Sequence, residues 1–155
     1  KQRILMRVVV QRVNKAAVHI NKRLHSQIGR GMLIFLGIEV ADLQEDADWL
    51  CSKLSKMRIF ADADGVMNRT LQEEMGEYLV VSQFTLHAST KKGNRPSYIK
   101  SARPESAIPL YEYFLKKLWM DSNRPVKAGE FGANMQVSLE NDGPVTILMD
   151  SKEKE

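Results

Sequence analysis

The segment that most constrains this chain is Tyr78-Leu79-Val80-Val81-Ser82-Gln83-Phe84-Thr85-Leu86. Four apolar residues run without a charge into Ser and Gln, and the chain turns apolar again at Phe84 and Leu86. Such a run predicts a strand buried on both faces, because it leaves no alternate position for water. Its continuation places hydroxyl and amide groups at the rim of a core. Asn141-Asp142-Gly143-Pro144-Val145-Thr146 is the other stretch of this kind, and the two are expected to meet and form the functional site.

The remaining elements follow from periodicity. Met6 to Val13 is rich in β-branched residues and reads as a strand, in which Arg7 and Arg12 have opposite parity and face opposite sides. Ala16–Ile20 and Leu24–Gly29 flank Asn21-Lys22-Arg23 as a hairpin. Met32 to Ile38 is continuously apolar and predicts a central strand. From Asp42 to Met57, the residues Leu43, Ala47, Leu50, Leu54 and Met57 form one helical stripe, with Asp42 and Glu45 at capping-box spacing. A second helix is expected from about Glu105 to Met120, with Ala107, Leu110, Tyr111, Phe114 and Leu118 on one face. Pro109 requires either a start near Ser106 or kinked first turns. Three short strands, about 126–131, 135–140 and 145–149, complete an order that is mostly β with two helices. That order favours α+β over a regular βαβ alternation.

The chain has 155 residues, enough for one domain with a proper core. Lys1 to Leu5 reads as extra sequence ahead of a native start at Met6, 6–150 as a single domain, and 151–155 as a charged C-terminal tail. No signal peptide is expected before Met6. The net charge of +4 permits a nucleic-acid partner without requiring one. A lone cysteine, Cys51, rules out an internal disulfide and fits a reducing cytoplasm. No apolar run reaches the length of a membrane span. His19, His25 and His87 show no ligand spacing, and Asp62-Ala63-Asp64-Gly65 lacks the glutamate of a calcium loop, so it reads as a solvated turn. No metal or other cofactor is expected.

Hydrolytic chemistry has limited local support. Ser82 and Thr85 are hydroxyls at a strand end, but a weak hydroxyl nucleophile needs a base. Ser82 has no Gly-x-Ser-x-Gly elbow. In an extended strand His87 would share a face with Thr85, yet no orienting acid is evident. From Ala88 to Pro104 there are five basic residues and no acidic one, which makes Lys91, Lys92 and Arg95 candidate phosphate contacts. Gly143-Pro144 combines backbone freedom with the dipeptide setting in which a cis bond is least costly.

Taken together, Ser82-Gln83-Phe84-Thr85-Leu86 and Asn141-Asp142-Gly143-Pro144-Val145-Thr146 closely resemble the two signature motifs of the D-aminoacyl-tRNA deacylases. The resemblance extends through Met6-Arg7, Gln11-Arg12-Val13, Gly93, Arg95-Pro96-Ser97, Phe131-Gly132-Ala133 and Met135, and spans Met6 to about Asp150. Tyr98 stands where the family usually has Phe, and His87-Ala88-Ser89 departs from its commoner Tyr-Ala-Asp-like continuation.

The resemblance implies a homodimer of a compact, barrel-like β-rich fold with two helices packed on one side. It implies a cis Gly143-Pro144 bond reaching into the partner's pocket, where the two carbonyls capture the substrate's α-amino group. Ser82, Gln83, Phe84 and Thr85 would line the catalytic side, with Phe84 backbone atoms near the scissile ester and Thr85 as a positioning residue. Arg12 would hold the Gly-Pro loop, while Phe131 and Met135 would shape the pocket for the terminal adenosine. The expected substrates are D-aminoacyl-tRNA and glycyl-tRNA, and the expected reaction is metal-free ester hydrolysis. Two other classes remain: an esterase or peptidase using Thr85 or Ser82, and a non-catalytic RNA-binding module.

Overall fold

Strand β1 (Arg7–Ile20) is the spine of the sheet. In this computed structural model, which describes residues 6–154, it absorbs both the expected first strand and the first arm of the hairpin. Its first half pairs antiparallel with β3 (Gly31–Gly37) and its second half with β2 (Arg23–Ile28). The β1–β2 turn is Asn21-Lys22, both at positive φ (51° and 65°), the backbone that a two-residue hairpin turn requires. Residues 1–5, the expected leading extension, and residue 155 lie outside the described residues.

Strand β3 is central, as its unbroken apolar run predicts. Met32, Ile34 and Leu36 join one buried cluster, and Leu33 joins another on the opposite face. It pairs in parallel with β6 (Glu77–Ser82), which pairs in parallel with β7 (Val126–Ala128). Helix α1 (Gln44–Lys56) lies between β3 and β6, and α2 (Pro104–Ser122) between β6 and β7. The fold is α+β, and two parallel crossovers are embedded in an otherwise antiparallel sheet. A small hairpin of β4 (Phe60–Ala61) and β5 (Met67–Arg69) follows α1, closed by Asp62, whose Oδ1 accepts the Asp64 and Val66 N–H groups.

Both helices pack on one side of the sheet. Ala47, Leu50 and Leu54 of α1 and Ala107, Tyr111, Phe114 and Leu118 of α2 share a core with Val8, Val10 and Ile34. Burial of each leucine contributes on the order of 2 kcal/mol. The opposite face curls inward over Val13, Val18, Leu33, Leu79 and Val81. The curl brings β2 to β7, where Ser26 Oγ donates to the Ala128 carbonyl at 2.8 Å. That contact leaves the sheet close to a barrel.

Three local expectations are corrected. Helix α1 begins after Leu43, whose N–H donates to Asp46 Oδ2 at 2.8 Å; Asp42 instead accepts the Glu39 N–H at 2.6 Å. Helix α2 (Pro104–Ser122) lies within two residues of the expected bounds and runs through Pro109, so the alternative start near Ser106 falls away. The two C-terminal strands are one strand, β8 (Met135–Asp150), paired along nearly all of β1. The last residues pack back on the body: Ser151 is buried and exchanges hydrogen bonds with Met6, and Lys152 bridges Asp42 and Asp46.

Candidate active site

The polar end of β6 does not continue as a strand. Gln83 N–H donates to the Leu36 carbonyl at 2.8 Å, and Phe84–His87 then closes a single 3-10 turn. The parity argument that put Thr85 and His87 on one extended face therefore fails. The turn is held from several directions. Ser101 Oγ donates to the Phe84 carbonyl at 3.0 Å, and Arg7 Nη1 donates to the Leu86 carbonyl at 2.9 Å. Gln83 Nε2 donates to Thr85 Oγ1. Arg7 is itself fixed by Asp150 at 2.8 Å.

A cleft of about 510 Å³ opens where this corner meets the start of α2 and the segment leading into β8. Ser82, Gln83 and Phe84 line it together with Phe131, Ala133 and Met135. Phe131 is steadied by Tyr111, edge to face at 5.6 Å between centroids, and Tyr111 is anchored by its hydroxyl on the Val80 carbonyl at 3.2 Å. Tyr98 meets Phe84 edge to face at 4.9 Å, so the departure at that position sits at the rim of the cleft. Sequence reasoning missed Leu36, Ser101, Arg103 and Ala107 as lining residues. Leu36 and Ala107 read as core by periodicity, and Ser101 carries no local signal.

Thr85 does not line this cleft. His87 is buried on the far side of the turn, with Nδ1 3.3 Å from Glu39 Oε1. An acid partner for His87 thus exists, far upstream in sequence, but it faces away from the cleft. Burial lowers the His87 pKa below the ordinary imidazole value, against the opposing effects of the Gly37 backbone and Glu39.

The second motif forms a separate feature. Between the pairs Gln11↔Thr146 and Val13↔Asn141, the single residue Arg12 stands opposite residues 142–145 of β8. Asn141 Oδ1 accepts the Val145 N–H at 2.9 Å and closes the bulge. Arg12 Nε donates to the Asp142 carbonyl at 3.0 Å and lies 3.2 Å from its carboxylate, while Nη1 donates to the Ile59 carbonyl at 2.6 Å. Gly143 has φ +131°, and an added Cβ would lie 2.9 Å from Val145 Cγ2 and 3.1 Å from Arg12 Nη2. The Gly143-Pro144 bond is cis. Both residues are exposed, and neither they nor Arg12 line the cleft. Within one chain the two motifs do not meet, contrary to the simplest expectation from sequence.

Lys91, Lys92 and Arg95 are exposed on a loop closed by backbone bonds between Ser89 and Ser97 (2.8 and 2.9 Å), with Gly93 at φ +68° near its tip. None of the three lines the cleft. No helix among the described residues is long and apolar enough to cross a membrane.

The sequence profile of a family described as D-Tyr-tRNA(Tyr) deacylase matches residues 9–150. A D-aminoacyl-tRNA deacylase of Bacteroides thetaiotaomicron is 60% identical over 97% of this chain and 100% of its own length. One of Akkermansia muciniphila is 61% identical over the same shares. Among solved structures, a c-Myc DNA unwinding element binding protein superposes with a TM-score of 0.86 at 38% identity, covering 93% of this chain and 97% of the other. A probable eukaryotic D-amino acid tRNA deacylase shares the fold, with a TM-score of 0.80 at 18% identity over 94% of this chain and 99% of its own.

Proposed function

Because the chain belongs to the D-Tyr-tRNA(Tyr) deacylase family, we infer that it hydrolyses the ester joining a D-amino acid to the 3′ end of tRNA. It thereby releases free D-amino acid and tRNA, a chiral proofreading step of translation, and it works in the cytoplasm where that substrate is made. The observation that carries the reading is that the matched span contains a largely apolar cleft lined by Ser82, Gln83 and Phe84 together with Phe131 and Met135. Phe131 and Met135 offer a flat base an aromatic and thioether surface. The polar wall then meets the ester.

The mechanism needs no side-chain nucleophile. Thr85 lies off the cleft with its hydroxyl engaged by Gln83, which supports a positioning role. Ser82 has no base beside it, since His87 is turned toward Glu39. An aminoacyl ester is already activated. Orientation of the ester, a backbone N–H at Phe84 to stabilise the developing oxyanion, and a water assisted by the ribose 2′-hydroxyl are sufficient chemistry.

Chirality is read by a second copy of the chain. The exposed Gly143-Pro144 bulge, outside its own chain's cleft, enters the cleft of the partner in a homodimer. There its carbonyls take the α-amino group, and an L side chain would collide with the fixed backbone. Glycine has no side chain to reject, so glycyl-tRNA is cleaved as well. Lys91, Lys92 and Arg95 lie on an exposed loop that suits contact with acceptor-stem phosphates.

Amino-acid release from matched D-tyrosyl- and L-tyrosyl-tRNA, with and without chelator, tests the reading. Rapid, chelator-resistant loss of the D ester alone is expected. Equal cleavage of both would replace it with a general esterase, and cleavage of neither with an RNA-binding module. Resistance of glycyl-tRNA at enzyme levels that clear the D ester would overturn the chirality model.

A further inference from the structure

A second cleft, of about 310 Å³, lies on the other side of the Phe84–His87 turn. Arg7, Lys91 and Lys100 converge on it, with His87 and Glu39 also in its wall. Arg7 commits Nε to Asp150 and Nη1 to the Leu86 carbonyl, which fixes its guanidinium while leaving further N–H groups to donate. Neither Lys91 nor Lys100 has a carboxylate within ion-pair distance among the described residues. His87 is 2% exposed, and its Nδ1 lies 3.3 Å from Glu39 Oε1.

The chemistry of the walls selects that ligand. Asp150 balances Arg7, and Glu39 beside His87 offsets one of the two lysines, which leaves the walls with one net positive charge. A cation would be repelled, and an apolar group would leave the donors unpaired. A phosphate, with one negative charge and only acceptors, fits.

The two clefts are neighbours. Phe84 lines the first and His87 the second, roughly 6 Å apart along the turn at a 3-10 rise of about 2.0 Å per residue. Likewise Ser101 lines the first and its neighbour Lys100 the second. A ligand that fits both is a polymer with a terminal base in one and a backbone phosphate in the other. We propose that Arg7, Lys91, Lys100 and His87 form a phosphate subsite for a phosphodiester of the single-stranded 3′ end of the RNA whose terminal nucleoside occupies the first cleft. The RNA identity rests on the deacylase reading; the anion site itself does not.

The test uses the intact protein. His87 ring signals, assigned with His87→Gln, are followed by NMR during titration with a CCA trinucleotide, with adenosine and with inorganic phosphate. Affinity for uncharged tRNA is measured against salt for Lys91→Ala/Lys100→Ala and for Lys56→Ala/Lys116→Ala, which removes equal charge elsewhere. The trinucleotide is expected to move the His87 signals and adenosine to leave them in place. The first pair should weaken tRNA binding about tenfold, as for one charge-assisted contact, and lower the salt slope by about 0.7, one single-strand phosphate. The control pair should do neither. A response to inorganic phosphate that the trinucleotide does not displace would overturn the RNA assignment in favour of a free-anion site. Silent His87 signals with equal salt slopes would overturn the site altogether. These readouts do not depend on catalysis, so failure to cleave D-aminoacyl-tRNA would be a separate result, bearing on the parent reading.

Discussion

The Ser82–His87 corner and the bulge at residues 142–145 both interrupt β structure with polar residues, and they are held in opposite ways. The corner is tied by Leu36, Ser101 and Arg7 to three different parts of the chain and sits on buried Val80 and Val81. The bulge relies on one guanidinium, Arg12, and one amide, Asn141, and its Gly143-Pro144 tip is exposed. Redundant anchoring spreads the cost of any single change, whereas a bulge held by two side chains concentrates it. The corner should tolerate single deletions and the bulge should not.

The largest effect is expected from Arg12→Ala, which removes every side-chain bond to the Asp142 carbonyl and carboxylate. Displacing the bulge by about 1 Å should slow D-tyrosyl-tRNA hydrolysis about 100-fold in single turnover, with the far-UV spectrum retained. A loss no greater than that of a corner variant would break the contrast. Thr85→Ala comes next. Loss of one hydrogen bond, about 1 kcal/mol, should slow hydrolysis about fivefold. A loss beyond a thousandfold would mark Thr85 as the nucleophile and end its positioning role.

The smallest effect concerns pH, since the corner rests on a buried imidazole. His87 is held below its ordinary 6.5 by burial, so the unfolded chain binds the proton more readily, and stability is lost as pH falls below 6.5. Asp42 runs the other way. Burial raises it to about 6 from 3.8, despite the Glu39 N–H and Lys152, so the folded chain takes up its proton first and gains stability as pH falls from about 6 toward 3.8. Denaturant midpoints at pH 8 and 5 should therefore fall less for His87→Gln than for the parent, and more for Asp42→Asn. Parallel shifts in both variants would remove the assigned groups from the acid response.

The sequence was a good guide wherever one period ran uninterrupted. The two faces of Met32–Leu36 and Tyr78–Val81, and the stripe from Ala107 to Leu118, lie as their spacing predicts. It misled where a short pattern fits two structures. Phe84-Thr85-Leu86-His87 alternates apolar and polar as a strand would, yet forms a 3-10 turn. Asp42 and Glu45 have capping-box spacing, yet Asp46 accepts the Leu43 N–H, because the path of the preceding chain turns Asp42 back to the Glu39 N–H. The Glu39 partner of His87 lies 48 residues away by number (87 − 39) and leaves no local trace.

By itself the sequence determined both helices and the central strands, because backbone sterics and side-chain period act over neighbouring residues, and its two motifs carried the family resemblance. Tertiary structure decided that β1 and β8 are single long strands, that four residues bulge around Arg12, and that the two motifs lie apart within one chain. Those outcomes depend on which strand lies alongside which. Pairing partners far apart in sequence set the register, and local period carries no information about them.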